Sequence, residues 1–330
     1  MKAWVVRQLG GPEALKLETF EPPPLEPGKL RIAVKAAAVN FFDSLQIAGS
    51  YQVKPELPFV PGSEAAGTVV EAPAESGFAP GDRVMTRLQQ KGLLQGGYSD
   101  LVDARPDLTV RLPDSMPFDE GAAFFVNYQT GWFGLMRRAA LKPGEVVLVH
   151  AGAGGVGSAA IQLAKAAGAR VIATAGSPAK VELCRELGAD LAIDYSTEDF
   201  VDAVKGFTEG RGADVVYDPV GGDVFDRSTK CIAFEGRIVV VGFTSGRIAE
   251  ARTNHVLIKN YAVLGLHWGL YQTLAPDLVQ AATAELLDLY AAGRIRPHVS
   301  KHFPLEDAPA ALAEVTSRRS TGKVVLQTTP

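Results

Sequence analysis

The stretch Val146–Lys165, VVLVHAGAGGVGSAAIQLAK, constrains this chain more than any other. It reads as a buried strand, a glycine-rich turn and a helix of small residues. Gly152, Gly154 and Gly157 stand at GxGxxG spacing, where bare backbone at a helix N-terminus lets a pyrophosphate approach. The spacing alone is a weak signal. A strand immediately before it and a helix immediately after supply the context that the motif needs. The implied ligand is a dinucleotide, cradled by Gly152, Gly154, Gly155, Val156 and Gly157.

The rest of the chain bounds what this turn serves. Its 330 residues are enough for two domains with sizeable cores. A net charge of −4 gives no reason to expect nucleic acid or an anionic membrane as partner. No apolar run approaches the roughly 18 residues that a membrane helix needs. The start MKAWVVRQLG has neither the basic residues nor the apolar core of a signal peptide, so cytoplasmic residence is the default expectation. Cys184 and Cys231 are too few for a disulfide framework and are not spaced as a metal pair. They are expected to be buried small hydrophobes.

Residues 1–115 hold short β-like runs broken by Gly and Pro: Leu30–Val39, Ala65–Glu71, Asp82–Met85 and Tyr98–Val102. They predict a Greek-key-like or barrel-like β domain. Helical segments are predicted at Asp119–Asn127 and Gln129–Ala140. Strand and helix then alternate, with strands at Val146–His150, Arg170–Thr174, Leu191–Asp194, Asp214–Tyr217, Arg237–Val241 and Ala262–Leu266. Continuous apolar strands between helices imply a parallel sheet covered on both faces. A helix over Pro276–Ala292, a shorter one near Asp307–Thr316 and a strand at Lys323–Gln327 close the chain, which is expected to return to the first domain beside a cleft.

NAD binders carry an acidic residue at the end of the second strand, about 20 residues past the glycines, on the ribose hydroxyls. The corresponding segment here is VIATAGSPAK, Val171–Lys180, and it holds no carboxylate. Ser177 and Lys180 offer a hydroxyl and a cation instead, which suits a 2′-phosphate, so NADPH is the expected cofactor.

Several segments in order resemble one family: Gly144–Lys165, AVNFFD (Ala38–Asp43), PGSEAAGTVVE (Pro61–Glu71), GGYSD (Gly96–Asp100), DPVGG (Asp218–Gly222) and TGKVVL (Thr321–Leu326). Together they are similar to the zinc-free quinone oxidoreductases, the zeta-crystallin-like branch of the medium-chain dehydrogenase/reductase superfamily. The resemblance implies an α/β fold, a Rossmann doubly wound parallel sheet inserted in a GroES-like β-rich catalytic domain. Residues 1–123 and 267–330 would form the catalytic domain and 124–266 the dinucleotide-binding domain, in a homodimer. Zinc-dependent relatives have Gly-His-Glu where this chain has Gly62-Ser63-Glu64, and a hydroxyl is a poor zinc ligand beside Cys and His. Their cysteine near position 40 and their four-cysteine lobe near residues 86–100 are also missing, so no metal is expected. Glu64 is left without an evident role beyond a hydrogen bond.

Hydride transfer to an electrophilic acceptor, a quinone or an activated alkene, then replaces alcohol chemistry. The resemblance makes Asn40 and Tyr51 the candidates that anchor the acceptor and deliver a proton. Each has an ordinary alternative, a turn cap for Asn40 and packing for Tyr51. By the same resemblance Thr130 faces the nicotinamide end. Tyr195 and Arg318 join Lys180 around the 2′-phosphate, and Gly242, Phe243 and Thr244 run past the nicotinamide amide. Two other functions stay open. One is reduction of a carbon–carbon double bond in an enoyl thioester or enone. The other is NADPH binding with little turnover.

Overall fold

A computed structural model describes Met1–Thr328, so the last two positions of the expected 267–330 segment lie outside the described residues. The chain divides into two compact units, Met1–Phe125 joined by the segment from Pro297 onward, and Val126–Arg296.

The first unit is built on a mostly antiparallel seven-stranded sheet. Its longest strand, Leu30–Val39, pairs along one side with Glu64–Glu71. The other side is shared by two strands from distant parts of the chain. Leu101–Ala104 covers Leu30–Ala33, while Lys323–Gln327 covers Ala36–Val39. Glu64–Glu71 passes the sheet on to Arg83–Arg87 and then Thr109–Arg111. Small residues at Ala36, Ala37, Ala38, Ala65, Ala66 and Gly67 let the central strands carry packing on both faces. A Cβ at Gly67 would sit 2.1 Å from the Ala33 carbonyl oxygen. One core gathers Val39, Phe59, Tyr98, Leu312, Val324 and Leu326; another gathers Leu30, Ile32, Val34, Val84 and Val102.

The second unit holds six parallel strands. In spatial order they are Leu191–Asp194, Arg170–Ala175, Val146–Val149, Ala213–Asp218, Ile232–Val240 and Ala262–Gly265. Numbered along the chain this is 3-2-1-4-5-6, the doubly wound order whose direction reverses beside the first strand, where ligands bind outside the carboxyl ends. The run at the first strand is apolar because both faces are covered: Val146, Val147, Leu148 and Val149 are all fully buried.

Three sequence expectations shift. The helix expected over Asp119–Asn127 is broken: Phe118–Ala122 ends before Phe125–Trp132 begins. The next turn, Phe133–Arg138, is π-helical, and its Gly134 lies flat on the Tyr217 ring, where a Cβ would come within 2.9 Å. Residues 267–296 fall in the second unit. Their helix Pro276–Ala291 is tied there by Gln129 Nε2, which donates to Thr283 Oγ1 at 2.7 Å, and the Arg296 N–H donates to Gln162 Oε1 at 2.7 Å. Both cysteines are buried and free. No described helix is long and apolar enough to cross a membrane.

Candidate active site

In the second unit, the candidate cofactor residues cluster at the carboxyl ends of the strands. Val146–Val149 ends in a tight turn, with Ala151 at a positive φ of 50° and Gly154 capping the helix Gly155–Ala166. Two of the glycines are required by packing. A Cβ at Gly157 would lie 2.2 Å from the Ala151 carbonyl oxygen, and one at Gly152 2.9 Å from both the Ala173 Cβ and Cys184 Sγ. The Gly154 N–H closes the turn by donating to the Ala151 carbonyl at 2.9 Å, and Gly155 and Val156 place first-turn N–H groups at the positive end of the helix dipole. The fit to a pyrophosphate is direct.

Ser177, at the end of the second strand, caps the helix Pro178–Glu186, its hydroxyl accepting the Lys180 N–H at 3.4 Å. That leaves the hydroxyl proton available to an incoming acceptor. Tyr195 follows the third strand and lies over Gly176, where a Cβ would meet its hydroxyl oxygen at 2.4 Å. Ser177 and Tyr195 therefore border one edge. Gly242, Phe243 and Thr244 follow the fifth strand. Thr244 donates from both N–H and hydroxyl to the Pro219 carbonyl at 3.1 Å, and Phe243 covers Gly221. Thr130 is buried in the helix Phe125–Trp132, whose Gly131 packs on Leu163 of the glycine-turn helix. Arg318 belongs to the first unit, exposed just past the helix Ala308–Thr316 with a positive φ of 59°.

In the first unit, Asn40 caps the helix Phe41–Ile47 and Tyr51 follows that helix, stacked on Phe42 with ring centroids 5.4 Å apart. Asn40 also does more than cap. Its Nδ2 donates to Glu64 Oε1 at 3.1 Å, and its Oδ1 accepts from Lys323 Nζ at 2.6 Å. Lys323 Nζ also lies 2.8 Å from Glu64 Oε1, closing a buried triangle. Burial raises the Tyr51 phenol above its ordinary value, only partly offset by the Arg87 charge, so it remains a proton donor.

This donor set does not fit zinc. Position 63 presents a hydroxyl, the Glu64 carboxylate is already held by an ammonium and an amide, and a metal there would face the Lys323 charge. Among the described residues, no group of three or more His, Cys, Asp or Glu is arranged to hold a metal ion.

Residues 26–114 match the alcohol dehydrogenase GroES-like domain family, and residues 155–284 match the family described as zinc-binding dehydrogenase. The chain is 38% identical to a quinone oxidoreductase-like protein 2 homolog of Nematostella vectensis, over 99% of this chain and 89% of that protein. It belongs to the quinone oxidoreductase-like branch of the medium-chain dehydrogenase/reductase superfamily. A quinone oxidoreductase of Pseudomonas aeruginosa is 36% identical, over 96% of each chain. The crystal structure of an Escherichia coli quinone oxidoreductase complexed with NADPH superposes with a TM-score of 0.89 at 32% identity, covering 99% of this chain and 100% of that one. This medium-chain oxidoreductase therefore combines a Rossmann sheet with a separate GroES-like β-rich unit.

Sequence reasoning missed three residues of the medium-chain oxidoreductase's first-unit site. Lys323 and Tyr98 lie in segments that carry the resemblance, yet nothing local marks them as polar partners. Arg87, at the end of the strand Arg83–Arg87, carries no local mark either, and burial lowers its guanidinium to about 10. Asp43 accepts the Asn40 N–H at 2.8 Å and the Tyr98 hydroxyl at 3.0 Å on Oδ2. Its Oδ1 is buried without a hydrogen-bond partner. Burial pushes the Asp43 carboxyl up to about 7 from 3.8, against the opposing pull of those hydrogen bonds.

The sign of the resulting pH dependence follows. Between about pH 4 and pH 7 the folded protein keeps a proton on Asp43 that the unfolded chain has lost, so rising pH costs stability on the order of a few kcal/mol, and the cost levels off above about 7. Urea unfolding of the wild type and Asp43→Asn across this range should show the wild type losing ground steadily. A difference independent of pH overturns the assignment.

Proposed function

We propose that this protein is an NADPH-dependent, zinc-independent reductase that delivers hydride to a quinone. The observation that carries the reading is the buried Asn40–Glu64–Lys323 triangle. Hydrogen-bond donors stabilise a developing oxyanion, but they do not activate an alcohol as a Lewis acid does, so the acceptor must already be electrophilic.

NADPH, when bound, supplies the hydride. The glycine turn and the helix Gly155–Ala166 hold its pyrophosphate. Ser177, Lys180 and Tyr195 favour the 2′-phosphate, helped by the absence of a carboxylate from Val171–Lys180. Thr130, Gly242, Phe243 and Thr244 line the nicotinamide end. Asn40 anchors one acceptor oxygen. Addition of hydride to a quinone leaves a hydroquinone anion, and Tyr51 supplies the proton that completes it.

NADPH oxidation by chelator-treated protein, with NADH alongside, tests this against an ortho-quinone and a short enoyl thioester. The expected result is faster quinone turnover with NADPH that survives the chelator. Turnover of the thioester alone assigns the protein to carbon–carbon double-bond reduction, and loss of activity with the chelator overturns the zinc-independent reading.

A homodimer is part of the same proposal. The strand Ala262–Gly265 is the outer edge of its sheet, and Leu257 and Ile258 before it are 76% and 75% exposed. Such an edge beside apolar side chains suits pairing with a second copy. Sedimentation at micromolar concentration checks it, a monomer being the contrary result.

A further inference from the structure

The sheet of the first unit gathers four polar residues, Lys323, Asn40, Glu64 and Arg87, on neighbouring strands or just past their ends. Val324 pairs with Val39, so the next step of the register sets Lys323 opposite Asn40. Two strands over, Glu64 pairs directly with Arg87. Three of the four are dry: Lys323 is 4% exposed, Asn40 7% and Glu64 0%. Polar groups this deep persist only with their hydrogen bonds satisfied, and each partner then dictates which way the next one faces.

Asn40 is the member with two possible orientations. An ammonium only donates and a carboxylate only accepts. With Lys323 Nζ 2.6 Å from Oδ1 and Glu64 Oε1 3.1 Å from Nδ2, the carboxamide has one allowed setting. Turning it over would set N–H against an ammonium and a carbonyl against a carboxylate. In the allowed setting Nδ2 keeps one further N–H beyond the bond to Glu64. Lys323 also draws electron density from the amide oxygen, which makes that N–H a stronger donor.

We propose that Lys323 is a positioning residue that locks the Asn40 carboxamide with an N–H as its remaining valence. The site is thereby restricted to acceptors whose carbonyl oxygen takes up negative charge, an inference that rests on the acceptor site assigned above. Quinones and α,β-unsaturated carbonyl compounds meet this condition. An acceptor that must itself donate a hydrogen bond at this position does not.

Steady-state kinetics of Lys323→Met, alone and combined with Asn40→Ala, test the proposal, with NADPH affinity followed by fluorescence titration. Lys323→Met should lower kcat about 100-fold, the scale of a misplaced anchoring group, while the dissociation constant for NADPH stays unchanged. In the Asn40→Ala background the same substitution should cost no more than about twofold, because its route of action is gone. Lys323→Arg should recover part of the loss. Removing one charge of a buried pair can prevent folding, so Glu64→Gln with Lys323→Met, which strands no charge, provides the second measurement and should show the same low kcat. Wild-type kcat in either folded variant overturns the inference, as does an undiminished loss in the Asn40→Ala background. Failure of the wild type to reduce any carbonyl acceptor overturns the acceptor site and this inference together, whereas normal wild-type turnover with an unaffected Lys323→Met variant removes the inference alone.

Discussion

Replacing Asn40 with alanine should lower kcat for the preferred acceptor by about 100- to 1,000-fold, the usual cost of removing one donor from a developing oxyanion. The effect should fall on kcat far more than on KM, because the acceptor oxygen gains its full charge only as hydride arrives. NADPH affinity should not move, since the glycine turn and its helix belong to the second unit. Asn40→Ala also releases one hydrogen bond from Glu64 and one from Lys323, but those two still pair at 2.8 Å, so no buried charge is stranded. A kcat within threefold of wild type would leave Asn40 as a helix cap and nothing more.

The second large effect belongs to the glycine turn. Gly157→Ala puts a methyl group 2.2 Å from the Ala151 carbonyl oxygen and 2.9 Å from the Gly152 Cα, and neither is the end of a flexible side chain. The turn must open to admit it. Overpacking of this kind costs about 2–3 kcal/mol, equivalent to roughly a 30- to 150-fold weaker NADPH complex if the strain falls on the bound geometry. Gly206→Ala serves as the control. That residue lies within the helix Phe200–Phe207 with open space where the Cβ would go, so alanine there should leave NADPH affinity unchanged and add up to about 1 kcal/mol of stability. Equal NADPH affinity in Gly157→Ala and wild type would show that the turn is not the pyrophosphate cradle.

These two sites differ in how readily a sequence discloses them. The glycine turn is local: strand, turn and helix lie within Val146–Lys165, and each glycine answers to a neighbour a few residues away or to one adjacent strand. The alternation of apolar strands with helices likewise announces a parallel sheet without further information. The first-unit site is assembled from Asn40, Glu64, Arg87, Tyr98 and Lys323, and its decisive contact joins Lys323 to Asn40. No periodicity encodes a pairing over that separation; it arises from the register of Lys323–Gln327 on Leu30–Val39. Read alone, TGKVVL is a strand preceded by an ordinary lysine. The anomaly at Glu64 was legible, its resolution was not. A carboxylate that reads as having no first contact turns out to be the counter-charge for a lysine from the far end of the described chain. The break in the helix near Ala123 was hidden for a related reason, since residues on both sides of it are good helix formers and only tertiary packing ends the first segment.

The shared edge of Leu30–Val39 bears on how this protein is made. On a ribosome, Leu101–Ala104 emerges soon enough to cover Leu30–Ala33, but Ala36–Val39 must wait for Lys323–Gln327. At roughly 5–20 residues per second, that half-edge stays open for about a quarter of a minute to a minute. During that time it is an apolar strand offering unpaired amides to any neighbouring chain. The uninterrupted Val126–Arg296 unit carries no such debt and can complete its sheet while the tail is still inside the exit tunnel. Nascent chains stalled late in translation would thus carry a finished nucleotide fold beside an exposed, adhesive strand, a form that chaperones would have to shield.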